Sequence, residues 1–306
     1  MQFRVIPLIL AVMHPGCVNQ RAEQLPPWEG TGVPVHSGGN VNGSTFDGGP
    51  SLALDGLSLY FTSDRTGGLG GADIWSARRT GSGAQFAAPT NAGEPLNSDA
   101  NESAPDISAD GLALLFDSDR TGGFGSYDLW IATRSRVAES FGPPRNLGAG
   151  VNSDASDGHP HLSRDGLRLY FQSRRPSGFG DADLWLAVRT RVSDAFDAAV
   201  NLGSAVNSRH FDGEPTVSSD GLVLIFSSDR PGGCGRRDLW AATRARVHEN
   251  FDPPRHLGCL INSAADDVTP SLSRDGSSLY FMSDRPGGLG SFDIWMIALR
   301  DASAAR

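Results

Sequence analysis

Apolar residues along this chain come in short runs separated by polar, glycine-rich stretches. Runs such as Leu57-Ser-Leu-Tyr-Phe-Thr62 and Asp128-Leu-Trp-Ile-Ala132 have strand length and strand composition. A period of two puts Leu57, Leu59 and Phe61 on one face and Tyr60 on the other, and it sets Ile74 and Trp75 on opposite faces. Strands that are apolar on both faces belong to sheets covered on both sides. Ahead of the first kind of run lies a shorter one, as in Pro105-Asp-Ile-Ser108, joined to it through an Asp-Gly pair. Asp-Gly suits the positive-φ positions of a tight hairpin turn. After the second run comes a weak fourth strand near Pro144-Arg-Asn-Leu147.

This four-strand pattern repeats with a fixed period. Trp75, Trp130, Trp185, Trp240 and Trp295 are evenly spaced, as are Pro50, Pro105, Pro160, Pro215 and Pro270, and Asn42, Asn97, Asn152, Asn207 and Asn262. Five copies of one blade-sized antiparallel unit, each covered by its neighbours, predict an all-β fold: a single five-bladed β-propeller of four-stranded blades. The phase of the array predicts how the ring closes. A stray fourth strand around Pro34, in register with Pro89 and Pro144, precedes the first full blade, and the last blade stops after its third strand. The N-terminal strand is therefore expected to complete the last blade and to remove an open edge.

The block Ser283-Asp-Arg-Pro-Gly-Gly-Leu-Gly-Ser-Phe-Asp-Ile-Trp295, following Ser271-Leu-Ser-Arg-Asp-Gly276, resembles the TolB-like, WD-like β-propeller repeat of bacterial envelope proteins. It recurs five times across residues 46–300, with Ser173-Arg174-Arg175 as a departure in the third copy. The resemblance implies a periplasmic or outer-membrane setting and protein–protein contacts, and it supplies no catalytic set.

The first residues fit that setting. Arg4, the apolar stretch Val5 to Met13 and Gly16-Cys17 resemble a bacterial lipoprotein leader, with Cys17 as the lipidated residue. The expected division is a leader at 1–17, a linker at 18–30, the propeller at 31–300 and a tail at 301–306. Cys234 and Cys259 then remain as an even pair in an oxidising compartment, and a disulfide between them is expected because both break the repeat within one blade. The net charge of -9 argues against nucleic acid as a partner. The expected partners are envelope proteins and, through the lipid anchor, a membrane; the expected state is a monomer.

Strand order places the loops between the second and third strands on one face with the loops that enter each blade. Three residues before each repeated proline stands a carboxylate: Asp47, Glu102, Asp157, Asp212 and Asp267. Fivefold placement makes these a ring near the mouth of the central channel. The ring either binds a cation or basic segment, or pairs with Arg65, Arg120, Arg175, Arg230 and Arg285 of the neighbouring loops. A ligand is not fivefold, so a specific site should break the repeat. After the proline the repeat reads Ser51, Asp106, His161, Thr216 and Ser271, with His159 two residues before His161 and His210 entering the next blade. Asp106, His159, His161 and His210 are thus candidate binding residues; no resident metal or cofactor is expected. Some five-bladed propellers are glycosidases that need two carboxyls in unlike environments at the axis. Here only Asp106 and Glu214 break the pattern of equivalent acids. The expectation from these readings is a non-enzymatic binding or scaffold propeller, with a carbohydrate-binding propeller or a glycoside hydrolase as the alternative.

Overall fold

The computed structural model describes residues 28–30 and 32–301, and these form a five-bladed β-propeller without a helix. Each complete blade is an antiparallel sheet whose strands run outward from the axis in sequence order. Blade one comprises Asp47–Leu52, Ser58–Ser63, Asp73–Arg78 and Thr90–Asn91. Blade two begins at Glu102–Ile107, blade three at Asp157–Leu162, blade four at Asp212–Val217 and blade five at Asp267–Leu272.

Blade five is completed from the other end of the chain. Val35–His36 pairs with the last strand, Asp293–Asp301, opposite Met296 and Trp295. The Asn42 side chain extends this edge, donating to and accepting from the backbone of Ile294. Trp28–Gly30, within the stretch expected to be a linker, also forms a strand on that edge, opposite Leu299 to Asp301. The leader at 1–17 and Cys17 lie outside the described residues.

The core consists of five hydrophobic clusters, one at each interface between blades. Leu59, Phe61 and Trp75 of blade one pack with Tyr280 and Ile294 of blade five. Tyr60 and Ile74, on the opposite face of blade one, pack with Leu114, Phe116 and Trp130 of blade two. Phe61, Phe116, Phe171, Phe226 and Phe281 are fully buried, each worth about 2 kcal/mol of transfer free energy.

Two local features differ from the pattern read in the sequence. In the Asp-Gly turn only the glycine is left-handed, at φ 70° for Gly111. Asp110 stays out of that region because its carboxylate accepts the Leu112 N–H two residues on and the Ser108 hydroxyl. The innermost strand also starts three residues earlier than its proline suggests, at the carboxylate. A bulge follows: in blade three the register shifts between Gly158 and His161. The residue two after the carboxylate is left-handed in every blade: Gly49 at φ 56°, Ala104 at 48°, His159 at 50°, Glu214 at 57° and Thr269 at 47°. Such a backbone persists only where its surroundings hold it. Here the second strand of the preceding blade supplies an acceptor for the amide: Thr62 for Ala104, Asp117 for His159, Gln172 for Glu214 and Ser227 for Thr269.

Candidate functional site

The five repeated carboxylates are not displayed at the channel mouth. Asp47, Glu102, Asp157, Asp212 and Asp267 are all 0% exposed. They open the innermost strands, and each is held by the arginine of the adjacent loop, as in Arg120 to Glu102 at 2.8 Å and Arg175 to Asp157 at 2.7 Å. Arg65, Arg230 and Arg285 make the same pair with Asp47, Asp212 and Asp267. The second Asp157 oxygen accepts the backbone N–H and hydroxyl of Ser153 at 2.6 and 2.8 Å. Each arginine also stacks between two rings, Arg175 at 4.6 Å from Trp185 and 5.5 Å from Phe171. The carboxylates therefore lock strand to loop within each blade. Asp73, Asp128, Asp183, Asp238 and Asp293 organise the same loops by accepting amides such as Leu69 N–H at 2.6 Å.

The residues that break the repeat converge on the axis. The bulge turns His159 and Glu214 into the central channel, where they join Asp106 and His161 around a cavity of about 30 Å³. That is room for about one water molecule. Asp106, from blade two, is 9% exposed. Its Oδ2 accepts the Leu162 N–H at 2.7 Å, and its Oδ1 lies 3.3 Å from His161 Nδ1. The other ring nitrogen of His161 faces the Val217 carbonyl at 3.2 Å. Glu214, from blade four, is 6% exposed; it accepts the Thr269 N–H at 2.9 Å and lies 3.3 Å from Arg237. One acid is thus paired with an imidazole. The other is coupled to a guanidinium that keeps its charge.

The far end of the channel is closed. Arg274 of blade five reaches across the axis to the Ile107 carbonyl of blade two at 3.4 Å. Burial pushes its guanidinium below the usual arginine range, and Asp106 acts in the opposite direction. Arg164 lines the same end.

His210 does not join this group. It sits on the loop entering blade four, 3.7 Å from Asp229. A bulge lies between His159 and His161, so their common place at the cavity does not come from strand alternation. Glu214 was visible as a departure from the repeat, but its turn into the channel depends on a left-handed backbone that nothing in its residue type announces. Away from the axis, Cys234 and Cys259 are joined by a disulfide, with Cα atoms 5.7 Å apart. Among the described residues, Cys234, Asp238 and His256 form the one group of three with metal-ligand atoms close together. The disulfide removes the thiolate from that set, and His256 Nε2 is engaged by Asn262 at 2.8 Å.

No family model matches the chain, and no curated protein matches it by sequence. Solved structures do match by fold. The GH43_1 enzyme from Xanthomonas citri superposes with a TM-score of 0.61 at 16% identity, covering 90% of this chain and 94% of that one. Arabinanase Arb43A from Bacillus subtilis gives 0.58 at 14% identity, covering 88% and 99%. TolB from Acinetobacter baumannii gives 0.50 at 15% identity, covering 82% of this chain; the match spans about half, 54%, of that protein. At these identities the likeness establishes the five-bladed fold. It also corrects the ground for expecting a non-enzymatic protein: six glycoside hydrolases are among the neighbours, so the propeller that argued for a scaffold is equally an enzyme framework.

Proposed function

We propose that this protein is a glycoside hydrolase whose working carboxyls are Asp106 and Glu214. The observation that carries the reading is their placement: two acids that break the fivefold repeat, from blades two and four, both lining the axial cavity, with unlike partners. Glycoside hydrolysis needs two carboxyls of unlike character. Asp106, beside His161, is the group placed to exchange a proton with water or a leaving oxygen. Glu214, paired with Arg237, supplies the standing negative charge that favours an oxocarbenium-like transition state. The fold neighbours support the substrate class, since arabinanase and arabinofuranosidase enzymes share the propeller.

The axial cavity admits a water but no sugar ring, and Arg274 closes its far end. A substrate must therefore approach from the end opposite Arg274 and reach the two acids with its anomeric carbon alone, which favours chain ends and small glycosides over internal bonds. The test is turnover of aryl arabinofuranosides and aryl xylosides. Asp106→Asn and Glu214→Gln are each expected to lower kcat/KM at least a hundredfold with the fold intact by circular dichroism. Absence of turnover in the wild type, or full activity in both variants, overturns the reading.

An envelope location accompanies this proposal. It is supported by the leader-like residues Arg4 to Cys17, by the TolB neighbours and by the Cys234–Cys259 disulfide, a bond suited to an oxidising compartment. Cys17→Ser is expected to release the protein from membranes; unchanged membrane association would remove the lipid anchor from the proposal.

A further inference from the structure

The interface between blades one and two departs from the other four. On the third strand, Ser76 stands where the later blades carry Ile131, Leu186, Ala241 and Met296. Near the fourth strand, Ala92 stands where three of them carry Leu147, Leu202 and Leu257. Apart from Ala241 these side chains are larger, and they pack into the interfaces of their own blades, so that only blade one has a small residue at both positions. Their loss leaves a groove of about 700 Å³ between blades one and two. The corresponding space between blades three and four, where Leu186 and Leu202 are present, is about 330 Å³.

The groove has an apolar floor of Tyr60, Leu96, Ile107 and Phe141 and the hydroxyls of Ser58 and Ser76 on its wall. Arg134 is fixed within it, stacked 4.3 Å over Phe141 and donating to the Gly111 carbonyl at 2.8 Å and the Tyr60 hydroxyl at 3.5 Å. Arg78 and Glu94 stand exposed at its rim. Among the described residues, neither side chain makes an ion pair or a hydrogen bond, whereas most of the arginines nearer the axis are fully engaged.

We infer that this groove is a second ligand site, distinct from the axis, that holds a neutral sugar unit. Its volume lies within the usual range for small-ligand pockets. An apolar floor receives the C–H face of a pyranose or furanose ring, while Ser58, Ser76, Arg78 and Glu94 offer donors and acceptors to ring hydroxyls. A purely apolar ligand would strand those hydroxyls without partners. An anionic one would meet Asp55, Glu94, Asp110 and Glu139 against only two arginines. The choice of a sugar rests on the function proposed above; the groove itself rests on Ser76 and Ala92.

The test is titration calorimetry of the full chain with xylotriose and cellotriose. Wild type is expected to bind at least one of them saturably. Ser76→Leu with Ala92→Leu restores the side chains other blades carry, so the variant should fold with an equal or higher Tm and lose affinity at least tenfold. Should it fail to fold, Arg78→Ala with Glu94→Gln, both exposed, carries the same expectation. The Asp106→Asn, Glu214→Gln double variant should bind as the wild type does, which separates failure of the groove from failure of the axial reading. No saturable binding by the wild type, or undiminished binding by the filled groove, overturns the inference.

Discussion

Replacing Asp157 with alanine tests the internal lock of a blade. The loop position suggested by the sequence would make its pair with Arg175 a surface ion pair, worth about 1 kcal/mol or less. The structure puts the carboxylate fully out of solvent and leaves the Arg175 side chain only 14% exposed. Asp157→Ala removes the acceptor of three groups at once: the Arg175 guanidinium, the Ser153 amide and the Ser153 hydroxyl. Breaking one partner of a buried pair costs roughly 3–5 kcal/mol. Arg175 keeps the Val151 carbonyl and the Ser173 hydroxyl as partners, which places the loss at the lower end, about 3 kcal/mol. For a chain of this size that lowers Tm by about 5 °C. The assay is urea unfolding of Asp157→Ala, Arg175→Met and the double variant, without reductant. The double variant should be less destabilised than the sum of the two, because methionine leaves no stranded cation beside the vacated position. A loss below about 1 kcal/mol for Asp157→Ala, or strict additivity of the cycle, refutes the lock.

Three further outcomes are expected. The Cys234–Cys259 bond closes a loop with a sequence separation of 25, so reducing it should cost about 3–4 kcal/mol, and denatured, unreduced protein should show no reactive thiol at either position. Deleting residues 28–36 removes both strands that cover the last strand of blade five, and a truncated protein that stays monomeric with an unchanged Tm would contradict the closure. Hydrogen bonds from the Ser273 hydroxyl and from the amide and hydroxyl of Ser277 hold the Asp275 carboxyl below its ordinary value of 3.8. A depressed carboxyl stabilises the fold above its unfolded pKa, and that contribution disappears as pH falls through the folded pKa. Asp275→Asn should therefore flatten the acid limb of stability below about pH 4; superimposable wild-type and variant curves would count against it.

The spacing of Trp75 to Trp295, and the phase that left Pro34 ahead of the first blade, carried the whole architecture, because an unbroken period permits one repeated unit. The carboxylate ring was legible in position but not in environment. Asp157 looked like a loop residue because Pro160 seemed to begin the strand, and only the bulge between Gly158 and His161 shows that the strand begins at the acid itself. The same bulge decides the candidate site. Asp106, His161 and Glu214 were visible as departures from the repeat, but the left-handed φ that points Glu214 and His159 at the axis is set by amide acceptors on the preceding blade, which no local pattern reveals. The groove was legible in principle, since blade one alone carries small residues, Ser76 and Ala92, at both positions. Its size depends on how two blades meet, and the sequence of either blade alone does not contain that.

Val35 and Met296 stand nearly a full chain length apart in sequence, yet the ring cannot close until they pair. Blades one to four are each contiguous in sequence, so closure carries the longest loop, the kind of contact that is costliest to form. A chain that has emerged only as far as blade four has an incomplete ring with bare edges, and such edges attract other chains. The pairing thus makes the ring depend on both ends of the chain: one truncated before residue 293 lacks the strand on which Val35–His36 docks and keeps an open edge.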